Sequence, residues 1–283
     1  MDAMLNDRKI TFIGPGMMAE AMVNGLLQKQ VMPAGAITLS GPRPGRLELL
    51  AEEYEVQTTT NNLEAIENVD VVVLAVKPQS LKEVQAELSG RIPAGAMVLS
   101  IIAGTTLTTL TEGLVHPSVV RAMPNTPAQV GEGITVWTTT SEVSEEQREQ
   151  AAEILAAFGQ ELHVEDEDYL DMATALSGTG PAYVYLFMEA MVDAGVHLGF
   201  PRRIAEQLVV QTVRGSVAYY EHSPRHMARL RNQVTSPGGT SAAALYYLEK
   251  AGFRTALSRA IWAAYERSVQ LGRGRKRGDV EQD

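Results

Sequence analysis

The sequence predicts a fold of class α/β plus all-α, with a doubly wound parallel sheet first and a helical part behind it. Three observations carry this. Up to about Val164, short apolar runs alternate with helical patterns, the arrangement that builds a parallel sheet with helices on both faces. One run, Val69 to Val76, is almost continuously apolar, as a strand covered on both sides must be. Beyond the acidic stretch Glu161 to Asp171, strand patterns stop and only helical spacing remains.

Taken in order, Ile10 to Ile13 reads as a buried strand running into Gly14-Pro15-Gly16-Met17-Met18-Ala19 and then a helix. Gly14 permits the tight turn, Gly16 lets a pyrophosphate approach the backbone, and Ala19 allows helix and strand to pack closely. Ala19, Met22, Val23, Leu26 and Leu27 follow at helical spacing. The free N–H groups and positive end of that helix would face phosphates, so the unit reads as a Rossmann-type dinucleotide turn.

Ala36 to Leu39 is the second strand and Val56 to Thr58 a weak third, with Asn62 placed to cap a short helix. Val69 to Val76 ends at Lys77-Pro78, and Ser80 opens a helix carrying Leu81, Val84 and Leu88. Met97 to Ile102 closes at Ala103-Gly104, Val119 to Met123 at Pro124-Asn125-Thr126-Pro127, and Ile134 to Thr138 is a later strand. Ser144-Glu145-Glu146-Gln147 has the pattern of a capping box, with Gly159 as the stop of its helix. The acidic run from Glu161 reads as a solvated linker. Helical patterns then continue through Tyr220, from Pro224 to Val234, from Ser241 to Leu248 and from Phe253 to Leu271. The expected domains are residues 1–165, residues 166–272 and a disordered charged tail, 273–283. Several helices, notably Ala182 to Ala194, are apolar on more than one face, which predicts a helical dimer interface.

Composition narrows the function. The 283 residues carry 45% hydrophobic and 20% charged side chains, an ordinary soluble profile. A net charge of -10 argues against nucleic acid or an anionic membrane as the main partner, and the basic cluster Arg273 to Arg277 is confined to the tail. There is no cysteine, which excludes disulfides, thiolate catalysis and cysteine-bound zinc. His222 and His226 are four apart but straddle Pro224 and lack a third ligand, so no metal site is expected. The polar start and the lack of a long apolar run place the protein in the cytoplasm.

For an NAD-type site, an acidic residue is expected at the end of the second strand. Between Val31 and Leu47 there is no Asp or Glu; Leu39 is followed by Ser40-Gly41-Pro42-Arg43, with Arg46 nearby. A hydroxyl and a guanidinium suit a 2′-phosphate, so the cofactor is read as NADPH, with NADH possible. The strand ends Val76-Lys77-Pro78, Ile102-Ala103-Gly104 and Met123-Pro124-Asn125 line the side where ligands lie in such sheets. In the helical half, Leu176 to Pro181 and Val234 to Ser241 both put glycines and hydroxyls at a helix start. That composition makes an anion receptor scaled for a carboxylate.

Together these segments resemble the pyrroline-5-carboxylate reductase family, over about Lys9 to Leu271. The resemblance rests on Gly14 to Ala19, Ala75-Val76-Lys77-Pro78-Gln79, Arg121 to Pro127, Thr174 to Tyr183 and Val234 to Ser241, in the family's order. It implies an NAD(P)H-dependent reduction of pyrroline-5-carboxylate to proline, the last step of proline biosynthesis, by a homodimer of the kind that in the family often assembles further into decamers. By motif position, Ile13, Gly14, Pro15, Gly16, Met17, Met18, Ser40, Arg43, Asn62, Ala75, Val76, Lys77, Pro78, Ile101, Ile102, Ala103 and Asn125 contact the dinucleotide. Glu167, Ser236, Gly239, Thr240 and Ser241 fall at the substrate, with Ser241 as hydrogen-bond partner of the imine nitrogen. Departures are the Pro15–Met17 sequence where Gly-Asn-Met is usual, and Ser241 in place of Thr. Two other readings are a 3-hydroxyacid-dehydrogenase-like enzyme and a catalytically idle dinucleotide-binding paralogue. The first needs a helical lysine base, and Ala182 to Leu198 contains no lysine; intact glycine–hydroxyl loops argue against the second.

Overall fold

A computed structural model describes residue 5 and residues 7–272. Eight strands form one sheet: β1 (Ile10–Ile13), β2 (Ile37–Ser40), β3 (Gln57–Thr59), β4 (Val71–Leu74), β5 (Met97–Ser100), β6 (Val119–Met123), β7 (Gly133–Thr139) and β8 (Gly159–His163). Their order is β3-β2-β1-β4-β5-β6-β7-β8. The first six are parallel, with Ile10 beside both Ile37 and Val71. β7 runs antiparallel to β6, and β8 parallel to β7. The order reverses between β1 and β4, which opens a crevice at the carboxyl ends of those two strands.

The helices that cover this sheet are α1 (Met17–Gln28), α2 (Pro44–Tyr54), α3 (Asn62–Ala65), α4 (Leu81–Leu88), α5 (Leu107–Leu114), α6 (Glu145–Ala156) and α7 (Asp168–Ala173). Strand alternation sorts the core into two layers. Val71 and Val73 join Met22, Leu26, Ile154 and Leu155 on one side, whereas Val72 and Leu74 join Val84, Leu88, Leu110 and Leu114 on the other. The continuous apolar run of β4 is therefore the mark of a strand buried on both faces, as its pattern predicts.

Several local expectations are corrected. α5 has no counterpart in the sequence reading; it is capped by Thr106, whose hydroxyl accepts from the Thr109 N–H. The cap of α3 is Asn61, which accepts from the N–H groups of Leu63 and Glu64, and not Asn62. Gly159 does not merely stop α6; it opens β8 at φ +155, where any Cβ would lie 2.1 Å from the Gly133 oxygen. The acidic run is not a linker either, since it supplies most of β8 and then α7. The capping box at Ser144 and Gln147 forms as predicted.

Contacts divide the chain into two compact units, Met1–Thr179 with Ala264–Asp283, and Gly180–Ala263. The expected boundary after residue 165 falls inside the first unit, because Leu170 and Ala173 of α7 pack with Val136 of β7. The expected tail, 273–283, and its basic cluster lie outside the described residues.

After α7, a π turn (Thr174–Gly178) leads into α8 (Gly180–His197), followed by α9 (Arg202–Glu221), α10 (Met227–Gln233), α11 (Thr240–Lys250) and α12 (Phe253–Gly272). In the second unit, α8 and α9 pack through Val192, Ala205 and Val209, and Gly195 lets the Ala205 methyl come close. Gly199, at φ +107, separates the two helices. Large apolar side chains remain outside this core, including Leu186 at 67% exposed and Trp262 at 60%. Among the described residues no helix is long and apolar enough to cross a membrane, and no cluster of His, Asp or Glu could hold a metal ion.

Candidate active site

The phosphate turn is built where β1 meets α1. Gly14 sits at φ +102, and its N–H donates to the Ser40 carbonyl at the end of β2 (2.9 Å). A Cβ at Gly14 would lie 2.8–2.9 Å from Val76 and Ala75, so only glycine lets the turn pass this close to the end of β4. The Gly16 N–H turns back onto the Gly14 carbonyl (2.8 Å), and Gly16 caps α1 without any side-chain hydrogen bond. The first N–H groups of α1 are thus left to an outside acceptor, with Met17 exposed beside them. Pro15 lies against Gly41, where a Cβ would meet the proline ring at 2.4 Å, which locks the turn to the loop after β2.

That loop distributes its polar groups unequally. Ser40 is fully buried, and its hydroxyl donates to the Asn62 side-chain oxygen (2.7 Å), while the Asn62 amide donates to Glu87 (2.7 Å). Neither side chain is an idle donor waiting for a phosphate; they brace the floor of the loop. Arg46 is paired with Glu20 of α1. Arg43 is exposed and has no ion pair or side-chain hydrogen bond among the described residues, which makes it the free cation at the end of β2.

The other expected cofactor residues follow β4, β5 and β6. The Ala75 N–H donates to the Ile13 carbonyl (2.9 Å) and that of Ile101 to the Leu74 carbonyl (3.1 Å), so these strand ends form a stepped rim. Val76 is half-buried, and Lys77 and Pro78 are exposed at the start of a 3-10 turn that runs to Ser80. Ile13 and Ile102 do not present side chains to that rim, because both are buried in the layer beneath α4 and α5. Ala103 is half-buried. The side chain of Asn125 is engaged at both ends: its amide donates to the Ser177 carbonyl (3.2 Å), and its oxygen accepts from the Ile134 N–H (3.0 Å).

Glu167 lies in a part-buried network, centred on a buried arginine, that residue patterns alone do not reveal. Its Oε1 accepts from the Leu107 N–H at the start of α5 (2.7 Å) and from Arg121 of β6 (2.7 Å). Arg121, only 3% exposed, also reaches Asp171 of α7 (3.3 Å), and Asp171 accepts from the hydroxyl of Ser268 near the chain's end (2.6 Å). Oε2 of Glu167 takes no part in these bonds. Arg121 stands two residues before Met123; its signal in the sequence is a lone arginine inside an apolar strand, which must find a carboxylate.

The two glycine–hydroxyl segments differ. The first is not a break between helices but the π turn, and its hydroxyls point backwards: Ser177 donates to the Ala173 carbonyl and Thr179 to that of Thr174. It therefore offers no receptor. The second does lead a glycine turn into a helix start. Ser236 to Gly239 forms a turn closed by the Gly239 N–H onto the Ser236 carbonyl (3.0 Å), with Gly238 at φ +71. Gly239 caps α11 with no side-chain bond, which leaves the N–H groups of the first turn beside the Thr240 and Ser241 side chains. Thr240 is exposed and Ser241 half-buried.

A family model for pyrroline-5-carboxylate reductase dimerisation matches residues 167–271, and one for NADP oxidoreductase, coenzyme F420-dependent, matches residues 9–104. The pyrroline-5-carboxylate reductase of Synechocystis sp. is 40% identical over 268 residues, covering 94% of this chain and 98% of its own length. That of Escherichia coli is 36% identical, covering 94% and 99%. The crystal structure of the Plasmodium falciparum pyrroline carboxylate reductase with NADP bound superposes with a TM-score of 0.87 at 32% identity, covering 94% of this chain and 99% of that one. With similarity of this extent running through both units, the chain belongs to the pyrroline-5-carboxylate reductase family.

Proposed function

We propose that this protein reduces L-1-pyrroline-5-carboxylate to L-proline with NADPH. The observation that carries the reading is a pair of helix starts introduced by glycine and capped by no side chain. Gly16 opens α1 toward a dinucleotide phosphate, and Gly239 opens α11 toward a carboxylate. The residues fit the cofactor: Gly14 lets the turn pass close to the end of β4, Gly16 presents bare backbone with nothing nearer to a Cβ position than the Ala75 oxygen at 4.0 Å, and Arg43 is a free cation for a 2′-phosphate. Ile13 to Met18, Ala75 to Pro78 and Ile101 to Ala103 hold it, Asn125 through the loop it braces, with Ser40 and Asn62 supporting the loop beneath Arg43. NADPH when bound supplies the hydride for the C=N carbon; NADH fills the same site without engaging Arg43.

The chain's own part is binding and charge. N–H groups around Gly239, Thr240 and Ser241, with Ser236 in the turn before them, clamp the substrate carboxylate. The Ser241 hydroxyl bonds the imine nitrogen, which must gain a proton as the carbon gains hydride, and substrate or water is the proton source. The unbonded Oε2 of Glu167 favours the cationic form of that nitrogen. Residues 166–272 form the dimerising part. The exposed apolar side chains of the second unit are the surface a second copy covers, and dimers assemble further into decamers. The protein works in the cytoplasm.

The test is NADPH consumption that depends on added pyrroline-5-carboxylate, with proline identified as the product. Consumption without proline, or none at all from folded protein, overturns the reading. Light scattering of the purified protein reports the assembly.

A further inference from the structure

The cofactor end of the first unit holds an ion pair that the proposed reaction does not use. Arg43 caps α2, and Arg46 lies three residues on, its N–H bonded to the Arg43 carbonyl (3.1 Å). Residues three apart on a helix share a face, so both guanidiniums stem from the same side of the same first turn, just after β2. Only Arg43 is free. Arg46 is tied across to Glu20, in the first turn of α1, whose other oxygen lies 3.4 Å from the Tyr54 hydroxyl. Burial, with Glu53 and Glu20 nearby, pushes the Tyr54 phenol up to about 12, so it stays a neutral donor and leaves the carboxylate's charge to Arg46. Glu20, Tyr54 and Met17 line one small cavity of about 250 Å³ that opens beside the phosphate turn.

A carboxylate in the first turn of a phosphate-binding helix has two effects. It favours the helix dipole, yet it adds negative charge where a dinucleotide must bring its own. Pairing with Arg46 cancels that charge, at the expense of removing a guanidinium from the neighbourhood of the 2′-phosphate. We propose that Glu20 is a specificity-determining residue: by sequestering Arg46 it leaves Arg43 as the single cation for the 2′-phosphate and so limits the preference for NADPH over NADH. The inference rests on reading this loop as the 2′-phosphate site.

The test is the ratio of kcat/KM for NADPH to kcat/KM for NADH, measured on one preparation of each variant. Such a ratio does not depend on how much of the protein is folded. Glu20→Gln releases Arg46 and should raise the ratio by roughly 3- to 10-fold, the scale of one added half-exposed charge pair. The rise should sit in the NADPH side of the ratio, appear equally as a lower Kd for NADPH with an unchanged Kd for NADH in fluorescence titration without substrate, and disappear in Glu20→Gln/Arg46→Ala. An unchanged ratio in Glu20→Gln overturns the proposal, as does a rise that survives loss of Arg46. Arg43→Ala, run in parallel, separates this from the reading beneath it: if Arg43→Ala leaves the ratio untouched, the 2′-phosphate assignment itself is wrong.

Discussion

Replacing Arg121 by Met probes the network that joins β6, α5, α7 and the end of the chain. The guanidinium lies 2.7 Å from Glu167 and 3.3 Å from Asp171 and is almost wholly buried. At an effective dielectric of about 20, those separations correspond to attractions of about 6 and 5 kcal/mol. Desolvation offsets several kcal/mol per ion, so the pairs themselves are worth far less than that sum. Removing the cation alone is different, because two carboxylates, 29% and 16% exposed, then face each other without it. Water reaches both in part, so the expected loss is about 2–3 kcal/mol, below that for a fully buried pair. Urea unfolding at fixed protomer concentration measures it, since assembly couples to stability. The variant Arg121→Met/Glu167→Gln/Asp171→Asn should recover more than half of the loss. The neutral side chains can still accept from Leu107 and Ser268, and no charge is stranded. A single variant that loses less than about 1 kcal/mol, or a triple variant no more stable than the single one, would refute the reasoning.

Other outcomes follow from single positions. Gly14→Ala puts a Cβ 2.8–2.9 Å from Val76 and Ala75 at φ +102; a cost of about 1–2 kcal/mol at the turn should weaken NADPH binding roughly 5- to 30-fold, read by fluorescence titration. Ser241→Ala removes the proposed nitrogen partner and should lower kcat for pyrroline-5-carboxylate reduction by about 10- to 100-fold; unchanged turnover and substrate affinity would remove the role. Asn61→Ala deletes the cap of α3 and should cost about 1 kcal/mol, seen as a lower urea midpoint with an unchanged slope. Tyr54, raised to about 12 in the fold, stabilises it fully below the unfolded phenol value near 10 and loses that contribution as pH climbs through 12. An alkaline tyrosinate titration should therefore show one late step, absent from Tyr54→Phe.

What the sequence discloses is local. The turn at Gly14, the strand Val119 to Met123, the Ser144 capping box and the glycine start of α11 each carry their signal within a few residues, and each forms as read. α5 stays hidden because three threonines and a glycine dilute the helix formers of Leu-Thr-Thr-Leu-Thr-Glu-Gly-Leu, a short segment held by tertiary burial of Leu110 and Leu114. β8 stays hidden because it is a mostly exposed strand inside an acidic run, fixed by its pairing with β7 and by the contact of Gly159 with Gly133. The same limit applies at the site. Arg43 is legible as a cation after β2, but that Arg46 is engaged and Ser40 buried depends on Glu20 and Asn62, 26 and 22 residues away. Glu167 shows the widest gap, since its partners Arg121 and Leu107 are 46 and 60 positions earlier.

The dinucleotide-binding unit is not a contiguous piece of the gene. Its last components, Ala264 onward, are translated only after the whole intervening helical unit. Ser268 then reaches Asp171, and Leu271 and Gly272 press on Gly104, which sits at φ +70 directly after the β5 rim. A ribosome that has released residues 1–179 has therefore made a sheet whose β5 loop still lacks its outer wall. Truncation anywhere in the second half should harm nucleotide binding as well as assembly, because it removes the segment that completes the first unit.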